Sequence, residues 1–168
     1  MHLAGKKITL RSVQPSDTSF VLMCENDSSN WNVSEREKEL SESEWKQFMK
    51  SAGDFLSDGQ LRLVICSHEG RKLGLVDLFG RDKTVASVSL GIVIADAADR
   101  GKGYASEAVE ILSQHAFHVL GIKTIHALVH DSNITSMKLF ARLNFKLEKN
   151  SMHLGQPATL FVLPHFSL

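Results

Sequence analysis

A chain of 168 residues with 43% apolar and 23% charged side chains has the size and composition of one globular domain, long enough to bury a core without staples. Its 19 basic and 19 acidic residues cancel, which leaves no positive excess to neutralise phosphate backbones and excludes a nucleic-acid footprint. No run approaches the ~18 apolar residues of a membrane span, the first residues lack the apolar stretch of a secretion signal, and Cys24 and Cys66 form neither a disulfide framework nor a zinc motif. The expectation is one cytoplasmic domain over residues 1–168, with reduced cysteines and no membrane association.

In chain order, Ile8 to Arg11 reads as a first strand. Pro15-Ser16-Asp17 is a helix start signal, followed by Phe20, Val21, Leu22 and Cys24. That helix should end in the polar stretch Asn26 to Asn30. A second helix is predicted from Ser43, with Trp45, Phe48 and Met49 on its apolar face. Three strands then meander: Leu61 to Ser67, Leu73 to Phe79 and Val85 to Ala95. Their turns are His68-Glu69-Gly70-Arg71 and Gly80-Arg81-Asp82-Lys83. The third strand ends in a nearly all-apolar run, Leu90 to Ala95, as a strand covered on both faces should. Gly91 within it suggests a bulge or a close approach of another backbone.

A helix follows from about Tyr104 to Leu120, with Ala105, Ala108, Val109, Leu112, Ala116, Phe117 and Leu120 on one stripe and Gly121 to stop it. Thr124 to Val129 is a strand and Asn133 to Leu143 a helix. Two closing strands, Phe145 to His153 and Thr159 to Leu163, flank the Gly155-Gln156-Pro157 turn. The fold class is α/β (α+β): a mixed, mostly antiparallel central sheet flanked by helices, its strands first antiparallel and then joined through helix crossovers.

An apolar strand, a glycine-rich turn and a helix start occur in that order between Leu90 and Ala108. The first N–H groups of a helix have no partner within it, and the helix dipole adds partial positive charge there. Gly101 and Gly103 allow an anion to approach the backbone, and Arg100 and Lys102 add charge. A glycine pair by itself more often marks a tight, solvated turn. Neither the Rossmann fingerprint nor the P-loop fits, because Ser106 stands at the third glycine and Gly103 follows Lys102.

Arg100, Gly103 and Ala105 resemble the Arg/Gln-x-x-Gly-x-Gly/Ala signature of the GNAT superfamily of acetyltransferases. A second stretch, Asn133-x-x-Ser136-x-x-x-Phe140-x-x-Leu143-Asn144-Phe145, is similar to another element of that family, with Asn144 in place of the usual glycine of a Gly-Phe pair. Asn tolerates the left-handed conformation best after Gly. Glu25-Asn26-Asp27 with Trp31, and the strand Gly74 to Phe79, look most like the spermidine/diamine and ribosomal-protein alanine N-acetyltransferase branch.

The resemblance implies a GNAT-like fold with an acetyl-CoA cleft after the fourth strand. It implies CoA contacts from Ile92, Val93 and Ile94, from Arg100, Gly101, Lys102, Gly103, Tyr104 and Ala105, and from Asn133 and Phe140. It further implies direct attack of a neutral amine on the thioester, with the N–H groups of Ile92 to Ile94 polarising the carbonyl. A base must deprotonate the ammonium, whose pKa is near ~10.4. Many relatives carry a tyrosine at Phe140 that protonates the leaving thiolate. Phe140 has no proton to give, and Tyr104, the chain's only tyrosine, sits at the phosphate turn. Ser136, or a water on Asn133, is the candidate to assist.

Asp77, on a strand among apolar neighbours, is either a desolvated base or a carboxylate facing solvent. Glu25 and Asp27 suit the collection of a cationic amine, or simply a polar turn at a helix end. The acidic stretch from Glu35 to Glu44 also suits cationic acceptors. Trp31 and Trp45 suit either the core or a substrate wall. His115 with His118 and His126 with His130 lack a third ligand, so no metal is expected. The acceptor is then a small-molecule or peptide amine: a polyamine, a diamine or a protein N-terminal amine. A second hypothesis is an acyl-CoA-binding module that has lost catalysis and senses or scaffolds. The oligomeric state is left open, a homo-oligomer included.

Overall fold

The computed structural model describes residues 1–27, 39–51, 55 and 59–165, with the backbone alone at 50 and 51. Strands β1 (His2–Ala4) and β2 (Ile8–Ser12) precede helices α1 (Thr18–Asn26) and α2 (Glu42–Ser51). Strands β3 (Leu61–Ser67), β4 (Lys72–Asp82) and β5 (Ser87–Ile94) form the meander. Helix α3 (Tyr104–His118) leads to β6 (Thr124–His130), and α4 (Ile134–Arg142) leads to β7 (Lys146–His153) and β8 (Gln156–Pro164). The sheet has eight strands in the order β1-β2-β3-β4-β5-β6-β8-β7. Only β5 and β6 run parallel, because α3 carries the chain back over the sheet between them. The mixed, mostly antiparallel sheet inferred from the sequence is therefore the one present.

Each strand of the meander feeds both faces because side chains alternate along it. In β3, Leu63 and Ile65 join the large cluster under α3, with Leu112, Ala116 and Ile125. Val64 and Cys66 point the other way, into a smaller cluster with Val21, Trp45 and Leu75 beneath α1 and α2. Residues such as Leu63 and Leu112 are fully buried, each contributing roughly 1.5–3 kcal/mol on removal from water. Both cysteines are buried thiols, and burial pushes that of Cys24 up to about 12.

Local signals set the helix ends. At α2, Ser41 Oγ accepts from the Glu44 N–H at 3.2 Å, and the Glu44 carboxylate accepts from the Ser41 N–H at 2.9 Å; the two together form a capping box. Asn133 Oδ1 caps α4 by accepting from the Ser136 N–H at 3.1 Å. Asn144, just past α4, has φ of 63°, the left-handed conformation that lets it stand in for glycine.

Three expectations are corrected. A short strand, β1, precedes the first one foreseen, so the strand that borders the cleft is the fifth rather than the fourth. Strand β4 continues past Gly80 to Asp82, carried by an irregularity between Phe79 and Asp82. Gly91 pairs regularly with Asp77 and forms no bulge. The close approach belongs to Gly74, where an added Cβ would collide with the Val93 carbonyl oxygen.

Candidate active site

Strands β5 and β6 pair only through Ser87, Val88 and Ser89 with Thr124, Ile125 and His126. Beyond that point β5 continues to Ile94 bonded to β4 alone. The Ala95 N–H donates to Leu73 O in β4, and Val93 O faces Gly74. Peptide groups alternate in direction along a strand, so Leu90, Ile92 and Ile94 turn their N–H and C=O groups toward the gap left by β6. Of the three residues expected to act through their backbone, Val93 directs its own to β4, and its side chain packs against the smaller cluster.

The gap opens into a cleft of about 1190 Å³. Leu90 to Val93 form one wall. Leu128, Val129, Asn133, Ser136 and Phe140 form the other. Phe140 is buried, in edge contact with Phe145 at 5.0 Å and stacked near Phe161 at 6.1 Å. Ser136 lines the cleft, and Asn133 Oδ1 is already engaged in capping its N–H.

The glycine turn leads into α3. Gly101 and Gly103 have φ of 77° and 87°, and nothing lies within 4 Å of a Cβ built on Gly101. These left-handed conformations are open to glycine at little cost. Tyr104 and Ala105, the first residues of α3, pack against the main cluster. Buried Asp99 organises the turn, accepting two bonds from Arg71 and one from Lys102 Nζ at 2.9 Å. Arg71 first, then Lys102, holds the Asp99 carboxyl well below the usual range. Lys102 is thereby drawn to Asp99, and an Arg100 Nη2 reaches Ile94 O at 3.4 Å.

A further cation comes from the other end of the chain. Lys7 Nζ donates to Lys102 O at 3.0 Å. The Lys6 and Lys7 N–H groups both donate to the Glu107 carboxylate in the first turn of α3. Sequence reasoning missed Lys7, since nothing in a local pattern ties the turn before β2 to the start of α3.

Across the cleft from α4, Asp77 of β4 and Arg62 of β3 are register partners. Arg62 Nε and Nη2 donate to the two Asp77 oxygens at 2.9 and 2.7 Å. Arg62 Nη1 lies 2.9 Å from Glu25 Oε1 of α1. Burial works against the Arg62 charge, but Asp77 and then Glu25 outweigh it and raise its pKa further. The guanidinium stands 5.8 Å from the Trp45 ring. Arg62 is the second residue that sequence reasoning missed. Glu25 and Asp77 line the cleft with it, whereas Asp27 borders a separate hollow of about 450 Å³ with Met23, Cys24, Asn26 and Ala95. The two thus line different hollows, Glu25 lying within α1 and Asp27 just past its end at Asn26. Trp31 lies outside the described residues.

His153 also lines the cleft, its Nδ1 3.1 Å from Nε2 of buried His130. Among the described residues, no three His, Cys, Asp or Glu side chains group to hold a metal ion. No described helix is long and apolar enough to cross a membrane.

Known proteins share this fold. Over 85 residues the chain is 29% identical to a Bacillus subtilis (strain 168) protein named as a probable N-acetyltransferase, YjcK; the match spans 51% of this chain and about half, 47%, of that one. The spermidine N-acetyltransferase of Vibrio cholerae, solved with CoA and spermine, superposes with a TM-score of 0.83 over 95% of this chain and 96% of its own, at 20% identity. A GNAT-family acetyltransferase of Bacillus anthracis gives 0.79 over 98% of each chain at 16% identity. A proposed ribosomal-protein-serine acetyltransferase of Vibrio cholerae gives 0.75, also over 98% of each, at 18%. Residues 7–146, from Lys7 beside the glycine turn through the strand edge, α3 and α4, match the acetyltransferase (GNAT) domain family, and the chain belongs to that family.

Proposed function

We propose that the protein is an acetyl-CoA-dependent N-acetyltransferase that acts on a primary amine by direct attack. One observation carries this reading: a strand edge turned away from β4 and a carboxylate border one cleft, and at Ile94 that edge is joined through Arg100 to the glycine-lined start of α3. The co-substrate brings an activated thioester carbonyl. The first N–H groups of α3 suit its pyrophosphate, with the helix dipole and the Lys7 ammonium adding positive charge. Space beside Gly101 leaves that approach open. The peptide groups of Leu90, Ile92 and Ile94 suit a pantetheine arm laid along β5 in place of β6, and one N–H can hold the acetyl oxygen as negative charge grows on it.

Asp77 lies beside Gly91, in the middle of that open edge. Its role is to take the proton of the arriving ammonium, which at a pKa near ~10.4 is almost wholly charged at neutral pH. Phe140 closes the far wall without a proton to give, so water supplies one to the leaving sulfur, whose thiol pKa lies near ~8.5. The test is thiol release from acetyl-CoA with a panel of polyamines, monoamines and peptides, beside melting curves with CoA. The expected results are release with at least one amine and a stabilisation of roughly 2.7 kcal/mol at ~100 times Kd. The absence of both release and a melting shift at millimolar CoA would overturn the reading.

A further inference from the structure

We propose that Arg62 is a resident cation that sets the charge of the acceptor, so that the preferred amine carries one ammonium on an apolar body and a second ammonium is rejected. This rests on the acetyltransferase reading above and deepens it.

Two carboxylates reach the acceptor side of the cleft from different elements, Glu25 from α1 and Asp77 from β4. Without Arg62 between them they would form a doubly negative site suited to a diamine. The Arg62 guanidinium occupies the space between them, giving Nε and Nη2 to Asp77 and Nη1 to Glu25. A planar fork with fixed donors matches this geometry in a way a flexible ammonium does not. The three side chains keep 14–21% of their surface exposed, so they are partly desolvated yet accessible from the cleft. Within the trio the Arg62 charge offsets one of the two negative charges, so an ammonium meets less negative charge than the two carboxylates alone would present.

The surroundings act in the same direction. Trp45 and Phe48 stack at 5.4 Å and, with Leu40, Met49 and Leu61, give this part of the cleft an apolar wall. A second ammonium would have to sit beside the Arg62 charge or lose its water against that wall, and both are unfavourable. A hydrocarbon tail meets neither penalty.

The test compares n-butylamine with 1,4-diaminobutane, which share a four-carbon chain and differ by one ammonium. Wild type should favour butylamine in kcat/KM, and Arg62→Gln should shift the ratio toward the diamine by about tenfold, as one removed charge a few ångströms away would. Arg62→Gln combined with Glu25→Gln should bring the ratio back toward butylamine, although the arginine is still missing. Glu25→Gln alone keeps the Arg62–Asp77 pair and so remains available if Arg62→Gln does not fold. It should deepen the discrimination against the diamine several-fold by the same charge argument. A folded Arg62→Gln or Glu25→Gln variant with an unmoved ratio would show that Arg62 is only a structural ion pair. A wild type that prefers the diamine, while still turning over and still stabilised by CoA, overturns the charge assignment alone. A wild type with neither turnover nor CoA stabilisation overturns the acetyltransferase reading, and this inference with it.

Discussion

The Lys7 ammonium stands 3.2 Å from the point where a Cβ on Gly103 would lie, and donates to the neighbouring Lys102 carbonyl. The turn before β2 thus adds positive charge to the start of α3. Lys7→Gln should weaken CoA binding about twofold to fivefold at low salt, the range of an exposed charge pair, and less as ionic strength rises. Calorimetric titration at two salt concentrations checks this, and an unchanged Kd at low salt contradicts it. Gly103→Val is the blunter variant. Its φ of 87° makes a branched residue cost roughly 1–2 kcal/mol, so the fold and the ligand site would suffer together. Lys7→Gln separates the two, since the side chain is exposed.

Phe140 offers a test of the leaving-group step. It is 3% exposed yet lines the cleft, so a para-hydroxyl has a route to the substrate side. Phe140→Tyr should raise kcat roughly threefold to thirtyfold, below the ~10² or more of a well-placed acid because no neighbouring group was built to orient the phenol. The KM for acetyl-CoA should barely move. If the hydroxyl turns instead into the cluster of Phe145 and Phe161, an unpaired buried polar group costs about 1–3 kcal/mol. Measuring kcat together with the melting temperature separates these outcomes. A variant as stable as wild type and no faster means that proton supply to the sulfur is not limiting.

Two histidines predict how stability follows pH. His130 is 2% exposed, and among the described residues neither its Nδ1 nor the buried Nε2 of His115 has a hydrogen-bond partner. Burial lowers both pKa values, and the neighbouring His153 lowers that of His130 further. The folded protein therefore takes up protons less readily than the unfolded chain, whose imidazoles titrate near ~6.5. Their contribution is complete above that pH and is lost as pH falls below it toward the folded values. Melting temperature should be flat from about pH 7.5 upward and should fall between about pH 6.5 and 5. His130→Gln should flatten the fall. Scanning calorimetry across that range checks it, and a melting temperature that rises on acidification would contradict the assignment.

What the sequence determined by itself is what short stretches of chain decide. The apolar stripe of α3, the cap at Asn133, the glycine turn and the left-handed Asn144 all follow from interactions reaching a few residues along the chain. That is also why this glycine turn and the second signature were legible as family marks. Local pattern did not show that Lys102 Nζ also pairs with Asp99, three residues earlier.

Tertiary structure alone decided which distant side chains meet. Arg62 reaches Asp77 because β3 and β4 pair in one register, and a slip of one residue would turn either side chain to the opposite face. Glu25 joins them and Asp27 does not, because α1 ends between the two. The cleft itself exists because β6 follows β5 for three residue pairs and then departs. Strand pairing and helix packing act between segments tens of residues apart, and no local propensity encodes where such segments part.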